Sequence, residues 1–160
     1  MYLIIFVFAF IFRFILFDQG ILVSNIITSD SDEYLDIAKS IDETGVYGID
    51  GSMDMNRTPT YPFLIYIINQ ISDYNINFIV YIQIFIDSLS CCLIFSIGNK
   101  FLMKKYSKVI LTLLIVTCLY TSAYSMMIMT ETLYSFLIIL SLFFITNINN
   151  SKDYIYKIPL

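Results

Sequence analysis

The side chains that could do chemistry in this sequence are carboxylates, and most of them lie in one segment. The chain contains no histidine, which excludes Ser-His-Asp triads, Cys-His pairs and histidine-based zinc or haem sites. Proton transfer would therefore fall to Asp, Glu, Lys or Tyr. Ten of the 13 acidic residues lie between positions 18 and 73, where only Lys39 and Arg57 are basic. Acid and base chemistry is thus expected from this acidic segment.

Composition indicates the environment in which these carboxylates lie. Of 160 residues, 58% are hydrophobic and 14% are charged, whereas a soluble domain has roughly 45–50% apolar and about 25% charged residues. A water-soluble globule is therefore not expected. The net charge of −4 disfavours a nucleic-acid partner, because such binding needs a basic patch. The three cysteines have neither metal-site nor redox-motif spacing, so we interpret them as small apolar residues within helices.

Four segments are apolar and long enough to be transmembrane helices, which predicts an all-α polytopic membrane protein. A spanning helix needs about 20 predominantly apolar residues. A cleaved signal peptide competes with the first segment, but no basic residue precedes the apolar run and no A-x-A-like site follows it. We therefore favour an uncleaved span and interpret residues 1–160 as one membrane domain. The predicted spans cover residues 1–17, 76–97, 109–129 and 132–148.

The placement of charges orients these spans. The connection at residues 99–108 holds four lysines and no acid, whereas the loop at residues 18–75 is strongly acidic. Lysine and arginine mark the cytoplasmic side of a membrane, and the tail adds Lys152 and Lys157. We predict a multi-pass protein of the cell membrane, with both termini and the lysine loop in the cytoplasm and the acidic loop outside.

The external loop is predicted to contain two helices. In the first, Asp30 is suited to cap the N-terminus with Glu33 completing a capping box, and Gly45 is suited to end the helix. Its apolar residues recur with helical spacing, so we expect it to lie on the membrane surface. An apolar stretch at residues 61–71 is too short to span and predicts an interfacial or re-entrant helix. The apolar face of the first helix comprises Tyr34, Ile37, Ala38 and Ile41.

Four short motifs follow one another in this order: D-S-x-E-Y-x-x-x-A from Asp30, G-x-Y from Gly45, R-x-P-x-Y-P from Arg57 and T-E-T-L around Glu131. With a first span that ends in an arginine, they resemble the N-terminal part of the polytopic GT-C glycosyltransferases. More narrowly, they are similar to the dolichyl-phosphate-mannose protein mannosyltransferase and aminoarabinose transferase superfamily. Members of that superfamily are considerably longer, so the resemblance implies an N-terminal fragment or a truncated reading frame.

The resemblance implies transfer of a hexose or pentose from a polyprenyl-phosphate donor, on the external face, to a glycan, lipid or protein acceptor of the cell envelope. An acid in the first external loop would be the general base on the acceptor hydroxyl. Asp30 matches that position best, and Asp32 and Glu33 are the alternatives. The competing role for Asp30 is that of a helix cap only.

The resemblance also implies residues for the donor phosphate. Arg57 and Arg13 are the candidates, because a guanidinium fork matches phosphate oxygens; each could instead extend towards lipid headgroups. Glu131 and Tyr61 would line the pocket beneath the external loop. Asp30 and Glu131 could share Mg²⁺ or Mn²⁺ through oxygen ligands.

Two other functions compete with this interpretation. A non-enzymatic transporter or flippase fragment would depend more on the intramembrane residues Asp87 and Gln83 than on the external loop, since intramembrane acids are often functional. We expect Asp87 to face a helical partner in either case. The third interpretation is an inactive, truncated remnant of the enzyme.

Overall fold

The computed structural model describes residues 1–23, 25–49, 52–53 and 56–151, with side chains up to Ile148. This part of the chain is mostly helical, which confirms the predicted all-α class. Two short strands, β1 (Gly48–Ile49) and β2 (Ser52–Met53), pair antiparallel. The predicted basic tail with Lys152 and Lys157 lies outside the described residues. The helices are α1 (Tyr2–Asp18), α2 (Ser29–Thr44), α3 (Thr60–Ser72), α4 (Ile76–Phe101), α5 (Lys105–Val116), α6 (Leu119–Ser125) and α7 (Glu131–Ser151).

Three segments of the described chain are long and apolar enough to cross a membrane, which indicates membrane association. They are Ile76–Phe101, Lys105–Ser125 and Glu131–Ile148. Helix α1 is also apolar, but its 17 residues extend about 26 Å at about 1.5 Å per residue. That is less than the ~30 Å hydrocarbon core of a bilayer, so the first predicted span, residues 1–17, stays a prediction.

The third predicted span, residues 109–129, is wrong as a continuous helix. α5 ends at Val116, Cys118 is extended, and helix resumes at Leu119. The break leaves the last carbonyls of α5 without helical partners. The Arg13 side chain donates to two of them, the oxygens of Val116 at 3.1 Å and Ile115 at 3.4 Å. A side chain from another helix thus stabilises the break.

Side-chain contacts define the directions of the helices. Phe17, at the end of α1, packs edge-to-face on Tyr81 near the start of α4, with ring centroids 5.8 Å apart. Tyr2, at the beginning of α1, packs on Phe95, so α1 and α4 are antiparallel. At the same end of α4 as Phe95, Lys100 donates to Asn147 Oδ1 near the end of α7 at 2.9 Å, so α4 and α7 are parallel. These directions are those that alternating spans require.

The first loop helix begins two residues earlier than predicted. The N-cap is Thr28 rather than Asp30: Ser31 N donates to Thr28 Oγ1 at 3.3 Å, and Thr28 N donates to Ser31 Oγ at 2.9 Å. Thr28 and Asp30 are both residue types that cap helices well. Asp30 instead lies within the first turn, where its negative charge interacts favourably with the helix dipole. The predicted end at Gly45 is confirmed, with φ of 70°.

Helices α2 and α3 form a cover over one end of the bundle, so the expectation that α2 lies on lipid is wrong. The apolar face of α2 packs on α3 and α4 instead. Ser31 Oγ donates to the Ile128 carbonyl at 2.7 Å, in the turn between α6 and α7. Burying each isoleucine of this cluster contributes about 1.5–3 kcal/mol. The buried cluster comprises Tyr34, Ala38, Tyr61, Ile65, Ile68, Ile79 and Ile128.

Candidate functional site

Two predicted acids and one predicted arginine meet at the outer surface of the cover. Asp30 and Glu33 are three residues apart on α2 and therefore share a face. Arg57, just before α3, donates from Nη2 to Asp30 Oδ1 at 2.8 Å and from Nε to Glu33 Oε2 at 2.5 Å. The guanidinium also lies 5.2 Å from the centroid of the Tyr34 ring, a cation–π contact. We call Asp30, Glu33 and Arg57 the acid–arginine cluster.

The acid–arginine cluster carries one net negative charge and is open to solvent. Side-chain exposure is 26% for Arg57, 47% for Asp30 and 45% for Glu33. The hydrogen bond to Glu33, followed by that to Asp30, raises the pKa of Arg57 above its usual range, so it stays charged. An exposed cluster adds little stability. Its three charged side chains are accessible from solvent.

One cavity is lined by Arg57 of the acid–arginine cluster, and a second is lined by the next residue, Thr58. One, of about 310 Å³, is lined by Arg57 itself with Pro59 and the stacked rings of Tyr47 and Phe63, whose centroids are 6.2 Å apart. The other, of about 260 Å³, lies between the start of α3 and α7 and is predominantly apolar. It is lined by Thr58, Thr60, Tyr61, Thr130, Leu133, Tyr134 and Leu137. The cavity that contains the charged Arg57 and the apolar cavity are thus lined by neighbouring residues of the sequence.

The other two predicted site residues of the loop, Asp32 and Tyr61, differ in how exposed their side chains are. Asp32 is exposed on α2, outside the contacts of the acid–arginine cluster. Tyr61 lines the apolar cavity but is almost fully buried, and its hydroxyl donates to Gln83 Oε1 at 3.1 Å. Gln83 Nε2 in turn donates to the Met127 carbonyl at 2.8 Å. Burial raises the pKa of Tyr61, so its phenol stays neutral.

The structure does not place Arg13 with Arg57, nor at a lipid headgroup. Arg13 is fully buried and forms an ion pair with Asp87 of α4. It also donates to the Ala9 carbonyl at 3.2 Å and to Thr121 Oγ1 at 3.4 Å. A charge held inside apolar helices is stabilised by an opposite charge and by backbone carbonyls. The expectation that Asp87 faces a helical partner is confirmed.

Glu131 lies in a different place from Asp30. Asp30 is bonded to Arg57, whereas Glu131 is the first residue of α7 and lines a small cavity together with Asp87. Across the described residues, no group of three or more His, Cys, Asp or Glu side chains is placed to hold a metal ion. The Mg²⁺ or Mn²⁺ site suggested for Asp30 and Glu131 therefore remains a prediction.

Sequence reasoning missed the pairing of Arg13 with Asp87. The signal was present, because each is the single charged residue of its predicted span. Charged residues inside membrane segments usually pair with one another. It also missed Thr132, whose burial depends on how α7 packs rather than on its neighbours in sequence.

Comparison with known proteins adds no family. The chain matches no family model, no curated protein and no solved structure.

Proposed function

We propose that this chain serves a membrane glycosyltransferase that moves a sugar from a polyprenyl-phosphate donor to an acceptor hydroxyl on the external face. The observation that supports the proposal is Arg57, which is held against Asp30 and Glu33 and lines an aromatic cavity, while the next residue, Thr58, lines an apolar cavity. Such a donor has an apolar tail, a phosphate and a sugar. An apolar cavity, a guanidinium and two carboxylates are the kinds of group that these three parts would contact.

The donor phosphate would be bound by Arg57. Two of its guanidinium nitrogens, Nη2 and Nε, donate to the carboxylates. Nη1 carries two further N–H donors, and among the described residues no acceptor for it is found. The two carboxylates fix the orientation of the guanidinium and thereby reduce the entropy lost on binding. The apolar cavity of about 260 Å³ would receive the first part of the lipid.

The base would be Asp30. One of its oxygens, Oδ1, accepts from Arg57, which leaves Oδ2 for the acceptor hydroxyl. As the hydroxyl oxygen attacks the anomeric carbon, its proton passes to Asp30 and the bond from that carbon to the phosphate oxygen breaks. The electron pair leaves with the lipid phosphate, whose charge Arg57 stabilises. Direct attack from the opposite side inverts the anomeric centre.

Phosphate recognition can be tested with farnesyl phosphate and farnesol, which differ only in the phosphate. We expect the purified protein to bind farnesyl phosphate more tightly, and Arg57→Gln to weaken that binding about 10- to 100-fold, as loss of a charged hydrogen bond would. Lys39→Gln is the matched control, since Lys39 is an exposed base on α2 paired only with Glu43 at 3.7 Å. Equal binding of farnesol by the wild type would contradict the proposal.

Catalysis can be tested by release of lipid phosphate from a panel of polyprenyl-phosphate hexoses and pentoses in membranes that contain the protein. We expect Asp30→Asn to lower kcat about 10²- to 10⁴-fold. Asp36→Asn, an exposed carboxylate on the same helix, should retain wild-type turnover. Unchanged turnover in Asp30→Asn would exclude it as the base.

A transporter is the second candidate, and the buried pair of Arg13 and Asp87 is the observation that favours it. Intramembrane ion pairs often lie on ion or substrate pathways. A wild-type protein that releases no lipid phosphate, but whose vesicles take up solute in an Asp87-dependent way, would support this alternative.

A further inference from the structure

A second candidate site lies where α4, α6 and α7 meet, away from the acid–arginine cluster, and the exposed side chain of Tyr120 forms part of its wall. A cavity of about 30 Å³ is lined by side chains of α4, α6 and α7. We call it the inner cavity. The lining residues that matter here are Asp87, Thr121, Glu131, Thr132 and Ser135.

Two oxygens of the inner cavity have no partner within the described part of the chain. Thr132 is only 5% exposed, and its Oγ1 makes no hydrogen bond. Glu131 Oε2 is likewise buried without a partner. Buried polar atoms are nearly always bonded, and an unbonded one indicates an ion, a water or a functional role. Both residues line the inner cavity, which makes it the candidate ligand site.

The charges around the inner cavity add up to one negative charge. Asp87 is neutralised by Arg13, which is fully buried against it. Glu131 makes no ion pair in the described structure, although its place in the first turn of α7 favours the anion. One monovalent cation would therefore balance the site, whereas a divalent ion would leave an excess positive charge in an apolar surrounding.

The size and chemistry of the inner cavity agree with that charge. About 30 Å³ is enough for one water-sized particle. The polar atoms that line it are carboxylate and hydroxyl oxygens, which are the ligands of hard cations. We propose that the inner cavity binds one alkali-metal cation, with Glu131 Oε2 and Thr132 Oγ1 among its ligands. This site is independent of the proposed glycosyl transfer.

The experiment measures Tm of the detergent-purified chain in NaCl, KCl and N-methyl-D-glucamine chloride at equal ionic strength. A cation that binds only the folded chain should raise Tm in a saturable way, by about 5 °C at a hundred times its Kd. N-methyl-D-glucamine is too large for the inner cavity and should give no rise. Equilibrium binding of radioactive sodium should show one ion per chain.

The variants separate ion binding from folding. Thr132→Val keeps shape and charge, and we expect it to shift the cation dependence of Tm to at least tenfold higher concentration. Glu131→Gln should abolish it. Thr117→Val is the matched control, because Thr117 is exposed at the break between α5 and α6. The proposal fails if Tm is the same in all three salts or if both site variants respond like the wild type. It also fails if lowering the pH raises Tm as much as the cation does and no sodium binds.

Discussion

The buried pair of Arg13 and Asp87 gives a sharp prediction about stability. Replacing Asp87 with Leu leaves a guanidinium that is 0% exposed and cannot lose its proton. Its neutral acceptors, among them the carbonyls of Ala9 and Val116, remain. Removal of one partner from a buried pair usually costs about 3–5 kcal/mol, so we expect Asp87→Leu to lower the free energy of unfolding by about 4 kcal/mol.

The opposite replacement should cost less. After Arg13→Met, Asp87 can take up a proton and become neutral, so we expect a loss of about 2–3 kcal/mol. The double variant removes both charges, and apolar replacement of a whole pair is often neutral. It still leaves the Val116 carbonyl without its Arg13 donor, which should cost about 1–2 kcal/mol, whereas the Ile115 carbonyl keeps the Cys91 thiol as a donor at 3.3 Å. The double variant should therefore be more stable than Asp87→Leu alone.

The assay is reversible unfolding in mixed micelles, followed by circular dichroism at one fixed NaCl concentration. The four proteins form a double-mutant cycle, and we expect a coupling of about 4–6 kcal/mol between the two sites, which is above the usual range for contacting residues. The exposed pair of Lys39 and Glu43, with side chains 59% exposed, is the control and should couple by less than about 1 kcal/mol. If the costs of the two single variants simply add in the double variant, the pair does not stabilise the fold as argued.

Three further predictions concern the cover and the lysine end of the bundle. Gly45 has φ of 70° and open space around its Cα, so Gly45→Ala should cost about 1–2 kcal/mol of unfolding free energy, whereas Gly45→Asn should cost less because Asn tolerates this conformation; equal costs would contradict the argument. The hydrogen bond between Tyr74 and Asp42 raises the pKa of Tyr74 to about 12 and lowers that of Asp42. Stability from Tyr74 is therefore full below pH 10 and lost as pH rises through 12, and stability from Asp42 is lost as pH falls through its lowered pKa. Unfolding of Tyr74→Phe should lack the first dependence and keep a weaker form of the second, because Gln70 also donates to Asp42; an unchanged alkaline dependence would contradict this. A Cβ at Gly98 would collide with the Leu111 side chain, so Gly98→Ala should cost about 1–3 kcal/mol in thermal unfolding and be rescued by Leu111→Ala; a further loss in that double variant would refute the clash.

Sequence patterns predicted those elements whose causes are local. Helix α2, its end at Gly45 and the short α3 follow from apolar spacing and from residue types at the termini. The break after Val116 could not be predicted in this way, because residues 105–129 contain neither proline nor glycine. It is stabilised by Arg13, which is 103 positions away from Val116.

The candidate site was predictable to the same extent. That Asp30 and Glu33 share a face follows from their spacing on a helix. Their contact with Arg57 does not, since it closes a loop of 27 residues and depends on how the cover folds. The sequence also could not predict that Thr28, and not Asp30, caps α2, because threonine and aspartate side chains both accept hydrogen bonds from the free amides at a helix N-terminus.

The bond between Ser31 and the Ile128 carbonyl has a consequence for biosynthesis. The two residues are 97 positions apart, so α2 is synthesised long before the turn that it covers. At about 5–20 residues per second, a ribosome needs roughly 5–20 s to make the intervening chain. During that interval the apolar face of α2 has no partner beyond α3 and the first part of α4. The bond that fastens the cover to the turn between α6 and α7 therefore forms last, after α2 has packed on α3 and α4.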